Sequence, residues 1–207
     1  MKKIVVLVSG AGTNLKALIK AIEKNKIKNG EISLVISSNE KASALAIAKE
    51  HKIKTLVISR KNFNSKEDYQ AELFSKLKEE NPNLIVLAGF LQVISKEIVD
   101  FFENKIINIH PSLIPSFCGD VYGIKVHEAV LKKGVKLTGA TVHFVNEKAD
   151  DGPIILQKSI KVKETDTPET LQDRVKKKVE WKILPKSVNL FCLDKISIKN
   201  NKTFINN

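Results

Sequence analysis

The sequence predicts an α/β protein with a mostly parallel sheet flanked by helices and an antiparallel extension in its second half. Three observations predict it. Five short β-branched runs in the first half are separated by stretches with helical spacing, the order that gives a parallel sheet with right-handed crossovers. One of these runs, LIVLAGF (84–90), is continuously apolar, as a strand covered on both faces should be. After residue 110 the order changes to two strand-like runs joined by the turn signal ADDG.

Each element has its own signal. KIVVLVS (3–9) reads as the first strand and ends at Gly10. Residues 14–26 carry Leu15, Leu18, Ile19 and Ile22 on one helical face. ISLVIS (32–37) and TLVIS (55–59) read as strands around a helix over 42–53. Ser65 is placed to cap a helix reaching Glu79, with acids in the first turn. A helical stretch over about 95–103 leads to the strand 106–110. A loop containing Pro and Gly (111–123) precedes a helix near 125–133. TGATVHFVNE (138–147) and PIILQKSIKV (153–162) follow as strands, then a last helix from about Pro168 to Phe191. The polar tail, 196–207, is expected to fray.

Composition narrows the class. The 207 residues suit one good core, and 43% hydrophobic with 28% charged residues is ordinary for a globular chain. No apolar run approaches the roughly 18 residues of a membrane span, and Ile4 to Val8 is too short for a signal peptide's apolar region. Two cysteines suggest no disulfide framework, so a reducing cytoplasm is expected. The net charge of +12 comes almost wholly from lysine, 33 of the 35 basic residues. Nucleic-acid readers favour arginine, so a nucleic-acid partner is not expected. Two readings of the lysines stand: a compositional bias, or an attraction for anionic small molecules.

Two stretches carry chemistry. SGAGTNL (9–15) joins the first strand to the first helix. It fails the dinucleotide pattern, because Leu15 stands where a third Gly is needed, and it lacks the Walker Gly-Lys. What remains is a helix N-terminus suited to a phosphate, or a tight turn with a Thr or Asn cap. In IINIHPSLIP (106–115), Asn108 and His110 are two apart on a strand and share a side. Pro111 ends that strand where open α/β sheets bind ligands. A protonated His110 and the Asn108 amide could both donate to an oxyanion, and a carboxylate such as Asp150 could hold the imidazolium and move protons. That suits acyl transfer through a tetrahedral intermediate with no covalent enzyme step. His143 lies on a nearby strand run; His51 and His127 complete the histidines. No Cys/His spacing matches a zinc site, so no metal is expected, and Ser112 lacks the serine-hydrolase elbow.

SGAGTNL (9–15), VLAGF (86–90), NIHPSLIPSF (108–117), TGATVHFV (138–145) and ADDGPIILQ (149–157) together resemble the folate-dependent formyltransferases. The match is collinear over about residues 1–190, and the 9–15 loop favours the glycinamide ribonucleotide branch. The resemblance implies a Rossmann-like half (1–107) for the ribonucleotide phosphate and a folate and catalytic half (108–195). It implies Asn108, His110 and Asp150 as the catalytic trio. It also implies Gly12, Thr13, Asn14 and Lys66 at the phosphate, Glu180 at the ribose, and Leu91, Gln92, Val93 and Ile94 with Asn108 at the pterin. The implied donor is 10-formyltetrahydrofolate, and the enzyme is expected to be a monomer or homodimer.

The chain departs from the family at several points. Trp181 stands where a His usually follows the late acid. The spacing from Arg174 to Glu180 is one residue longer than the family's. Lys66 and Gln92 replace frequent arginines, and the Cys118–Gly123 loop is extended. The alternatives are a formyltetrahydrofolate hydrolase or another formyltransferase, and, outside enzymes, a binder of phosphorylated ligands or nucleic acid. A methionyl-tRNA formyltransferase is expected to carry a C-terminal RNA-binding domain, and the hydrolase an N-terminal regulatory one.

Overall fold

The computed structural model describes residues 1–119 and 121–206; Asp120 of the extended loop and Asn207 of the tail lie outside the described residues. The chain forms two compact units, Met1–Ile107 and Asn108–Asn207. The first carries β1 (Lys2–Val8), α1 (Thr13–Glu23), β2 (Gly30–Ser37), α2 (Ser43–Glu50), β3 (Lys54–Val57), α3 (Lys66–Glu80), β4 (Leu84–Leu87) and α4 (Lys96–Phe101). β5 (Ile106–His110) runs across the division. The second carries α5 (Ile124–Lys133), β6 (Leu137–Phe144), β7 (Ile154–Lys161), α6 (Pro168–Val175), α7 (Trp181–Cys192), β8 (Ile196–Lys199) and β9 (Lys202–Ile205). Seven strands form one sheet in the order β3-β2-β1-β4-β5-β6-β7.

In the first unit β1 pairs in parallel with β2 and β4, and β2 with β3. Ile4 to Val8 are wholly buried, as are Leu84 and Val86, so the central strands read as unbroken apolar runs. α1 covers them with Leu15, Leu18 and Ile19. Ser65 caps α3 by accepting the Asp68 N–H at 3.0 Å. Several elements are shorter than their apolar patterns. β4 stops at Leu87, and α1 stops at Glu23 because Asn25 turns left-handed (φ 53°).

In the second unit β6 and β7 are antiparallel, with a register shift between Val142 and His143. Such an irregularity re-aims side chains beside it. Two expectations need correction here. The last helix is not continuous: a π-helical turn, Lys176–Glu180, separates α6 from α7. The tail does not fray over 196–205 but pairs as the antiparallel hairpin β8-β9. Thr203 anchors that hairpin by donating its hydroxyl to the Ile154 carbonyl at 2.6 Å.

Candidate active site

Asn108 and His110 leave the end of β5 on the same side, as their spacing predicts, and Asp150 reaches both of them. His110 Nδ1 lies 3.2 Å from Asp150 Oδ2, and Asn108 Nδ2 donates to Asp150 Oδ1 at 3.3 Å. His110 is buried (4% exposed). Asp150 reaches this position by a left-handed backbone (φ 53°), which Asp tolerates better than most residues. The glycine two residues on makes the turn possible. A Cβ on Gly152 would lie 1.8 Å from the Phe144 carbonyl, so only hydrogen fits where the chain doubles back on β6.

A fourth group joins them. His143 Nε2 is 3.3 Å from Asn108 Nδ2 and 3.5 Å from Asp150 Oδ1. Its Nδ1 bonds the Phe144 carbonyl at 2.8 Å, and a carbonyl only accepts. Nδ1 therefore carries the proton, and Nε2 is free to accept from Asn108 when the ring is neutral. His143 stood on a strand run in the sequence, but nothing placed it in the site. The available signal was its period-two relation to Thr141; both are buried.

The hydrogen-bond donors of the site are all in use. Asn108 gives one N–H to Asp150; the other meets His143 Nε2 when that ring is neutral, and a protonated His143 turns the same nitrogen's N–H to Asp150 instead. His110 Nε2 faces the Phe117 carbonyl at 2.8 Å, so both of its nitrogens meet acceptors, which an imidazole satisfies by donating twice only as the cation. Asp150 Oδ2 also accepts the Gly119 N–H at 3.2 Å. Burial is the largest single influence on Asp150 and raises its pKa. The His143 hydrogen bond, the His110 charge and the Gly119 N–H outweigh it together, and the carboxyl sits below its ordinary range. Behind the site the 111–117 loop is tied to β6. Thr141 donates to the Ser112 carbonyl (2.7 Å) and accepts from Ile114 N–H (3.1 Å) and from Gln157 (3.0 Å).

In the first unit the 10–14 loop turns through Gly12 (φ 71°), where a Cβ would meet Ala44 at 2.7 Å. Gly12 caps α1 and gives it no side-chain hydrogen bond. The turn with a Thr or Asn cap is therefore not what forms. The first N–H groups of α1 keep the character of an anion site. Thr13 is half-buried and Asn14 buried in that first turn. Lys66 is exposed at the start of α3. Among the described residues, no group of three or more His, Cys, Asp or Glu is arranged to hold a metal ion.

Residues 2–188 match the family model described as formyl transferase. The chain belongs to the formyl transferase family. This formyltransferase is 34% identical to the phosphoribosylglycinamide formyltransferase of Haemophilus influenzae, over 99% of its own length and 94% of that protein. It is 41% identical to the trifunctional purine biosynthetic protein adenosine-3 of Gallus gallus over 95% of its own length, but spans only 19% of that relative. Among solved structures it resembles glycinamide ribonucleotide transformylase 1 from Symbiobacterium toebii, with a TM-score of 0.94, 34% identity, and coverage of 100% of this chain and 95% of that one.

The remaining positions that the resemblance implies lie on two irregular segments. Leu91–Ile94 sits between β4 and α4 with no regular structure; Leu91 and Val93 are 59% and 70% exposed. Glu180 is buried (5% exposed) as the last residue of the π turn. That π turn lies within the stretch from Arg174 to Glu180 that the resemblance makes one residue longer than the family's. A π turn holds one more residue than an α turn. Without it, one added residue would rotate Glu180 and all of α7 by about 100° about the helix axis. Trp181 follows directly, with its indole N–H buried and no hydrogen-bond partner among the described residues.

Proposed function

We propose that this chain transfers the formyl group of 10-formyltetrahydrofolate to the amine of glycinamide ribonucleotide, giving formylglycinamide ribonucleotide and tetrahydrofolate. The observation that carries this reading is the Asn108–His110–His143–Asp150 cluster, its histidines buried and its Asn and Asp half-buried, in a chain of the formyl transferase family. The substrate amine attacks the formyl carbon. The formyl oxygen becomes an oxyanion and takes the place of the Phe117 carbonyl at His110 Nε2. Asn108 reaches the same oxygen by giving up its 3.3 Å bond to Asp150, the longer and more yielding kind. The amine loses a proton and the leaving N10 gains one. Asp150, ionised and able to pass a proton through a water, carries it and is restored.

The ribonucleotide phosphate is assigned to Gly12, Thr13, Asn14 and Lys66, its ribose to Glu180, and the pterin to Leu91–Ile94 and Asn108. The setting is cytoplasmic, and the enzyme is a monomer or homodimer. No helix among the described residues is long and apolar enough to cross a membrane.

The test is the absorbance change on loss of the formyl group from a 10-formylfolate, with and without glycinamide ribonucleotide. Turnover only with the ribonucleotide is expected; turnover without it marks a hydrolase. His110→Ala should lose at least about 10²-fold in kcat, the typical loss for one oxyanion donor. Near-normal turnover by that variant would remove His110 from the mechanism.

A further inference from the structure

The segment 91–95 has no ladder or helix to hold it, yet its backbone is fixed at three points by two side chains from elsewhere in the first unit. The Leu91 N–H donates to Ser9 Oγ at 2.9 Å. The Gln70 amide then spans the other end. Its Nε2 donates to the Val93 carbonyl at 2.7 Å, and its Oε1 accepts the Ser95 N–H at 3.0 Å. Ser9 is itself braced, with its hydroxyl 2.6 Å from that of Ser38.

Gln70 is an odd residue for its place. It sits on the inward face of α3 beside Tyr69, Leu73, Phe74 and Leu77, all buried. Glutamine is mostly found exposed, and this one is 8% exposed. A buried amide is tolerated when both ends are bonded, and here both bonds go to the one stretch 93–95. Meanwhile Leu91 and Val93 turn their apolar side chains outward. A segment with a fixed backbone and exposed apolar groups is built to receive a flat, partly apolar ring without first ordering itself.

We propose that Gln70 is a positioning residue for the formyl donor, with Ser9 as its counterpart at the other end of the segment. Gln70 touches no substrate. It sets the backbone of Val93–Ser95, which meets the pterin. This rests on the reading that Leu91–Ile94 receives the pterin.

The test uses Gln70→Leu, which removes both bonds at similar size, and Gln70→Glu, which keeps the acceptor for Ser95 and turns an oxygen toward the Val93 carbonyl. Steady-state kinetics should show KM for 10-formyltetrahydrofolate raised about tenfold or more in Gln70→Leu, a loss of about one buried hydrogen bond. KM for glycinamide ribonucleotide should stay within about twofold in the same variant. Gln70→Glu should fall between wild type and Gln70→Leu in donor KM. Hydrogen exchange at the Ser95 amide should quicken in Gln70→Leu.

A folded Gln70→Leu protein with unchanged donor KM overturns the proposal. So do the two KM values rising in step, which a general loss of structure would give. If Gln70→Leu does not fold, Gln70→Glu carries the same comparison on its own. Val93→Asp, placed in the segment itself, separates the two levels of the argument. If Val93→Asp leaves donor KM unchanged, the pterin reading fails. If it raises donor KM and the Gln70 variants do not, only the positioning role fails.

Discussion

His127 makes the folding stability of this protein depend on pH in a calculable way. The ring lies on α5, wholly buried, and neither nitrogen has a hydrogen-bond partner among the described residues. Burial is the main cause that drives its pKa from 6.5 down to about 4, helped by the charges of Lys176 and His110. Above pH 6.5 the ring is neutral in both the folded and the unfolded chain, and it contributes no pH dependence. Between 6.5 and 4 the unfolded chain takes up a proton that the folded chain refuses. Stability therefore falls as pH falls through that window and levels off below it. At about 1.4 kcal/mol per pH unit, the whole window is worth roughly 3 kcal/mol. The measurement is urea unfolding at several pH values from above 6.5 to below about 4, the two edges of the window, for wild type and His127→Leu. Every other titrating group is common to both proteins, so the difference in their slopes isolates the ring. Wild type should lose stability faster by about 1.4 kcal/mol per unit. Parallel profiles for the two proteins would refute the reasoning and would mean that the ring is solvated or paired.

Two substitutions probe the frame of the site. Thr141→Val keeps the shape of a wholly buried side chain while removing a hydroxyl that serves Ser112, Ile114 and Gln157. It should destabilise the fold by roughly 1–3 kcal/mol in urea unfolding, the cost of buried groups left unpaired, and a loss below about 0.5 kcal/mol would mean that water replaces the hydroxyl. Gly152→Ala places a methyl 1.8 Å from the Phe144 carbonyl, so the turn that presents Asp150 must open. It should lower the melting temperature, with a cost of at least about 2 kcal/mol, and reduce kcat in the same variant. A wild-type melt would show that the turn yields freely.

Most of the frame was legible because the sequence repeats at the two periods that define strands and helices. The LIVL of LIVLAGF could only be a covered strand, and Asn108 and His110 had to share a side. What was hidden depended on contacts across distance in the chain. His143 enters the site through neighbouring strands, 35 residues from Asn108, and no local pattern reports that. The π turn was hidden as well: the sequence read as one helix from about Pro168 to Phe191, and only the fold shows the break at Lys176–Glu180. The hairpin at 196–205 had a signal that its polar composition masked. ISIK and KTFI alternate on either side of Asn200-Asn201, and both asparagines adopt positive φ (51° and 57°), as a tight primed turn requires. Gln70 reads as one more polar helix residue until its amide is seen to clamp a loop 23 and 25 residues away.

The bond from His110 Nε2 to the Phe117 carbonyl has a thermodynamic side. Under the proposed mechanism, the chain supplies its own oxygen to the nitrogen that the formyl oxygen is to use. Occupation by the donor is then an exchange of one acceptor for another, not the filling of an idle group. The net gain from that hydrogen bond is small, since one bond is broken for each one made. The donor's apparent affinity is scaled by the fraction of molecules in which residues 116–119 have let go. The imidazole is never left bare in the interior in either state. The energy of the new bond is realised chiefly as charge builds on the oxygen, because an oxyanion competes for that nitrogen far better than a backbone carbonyl does.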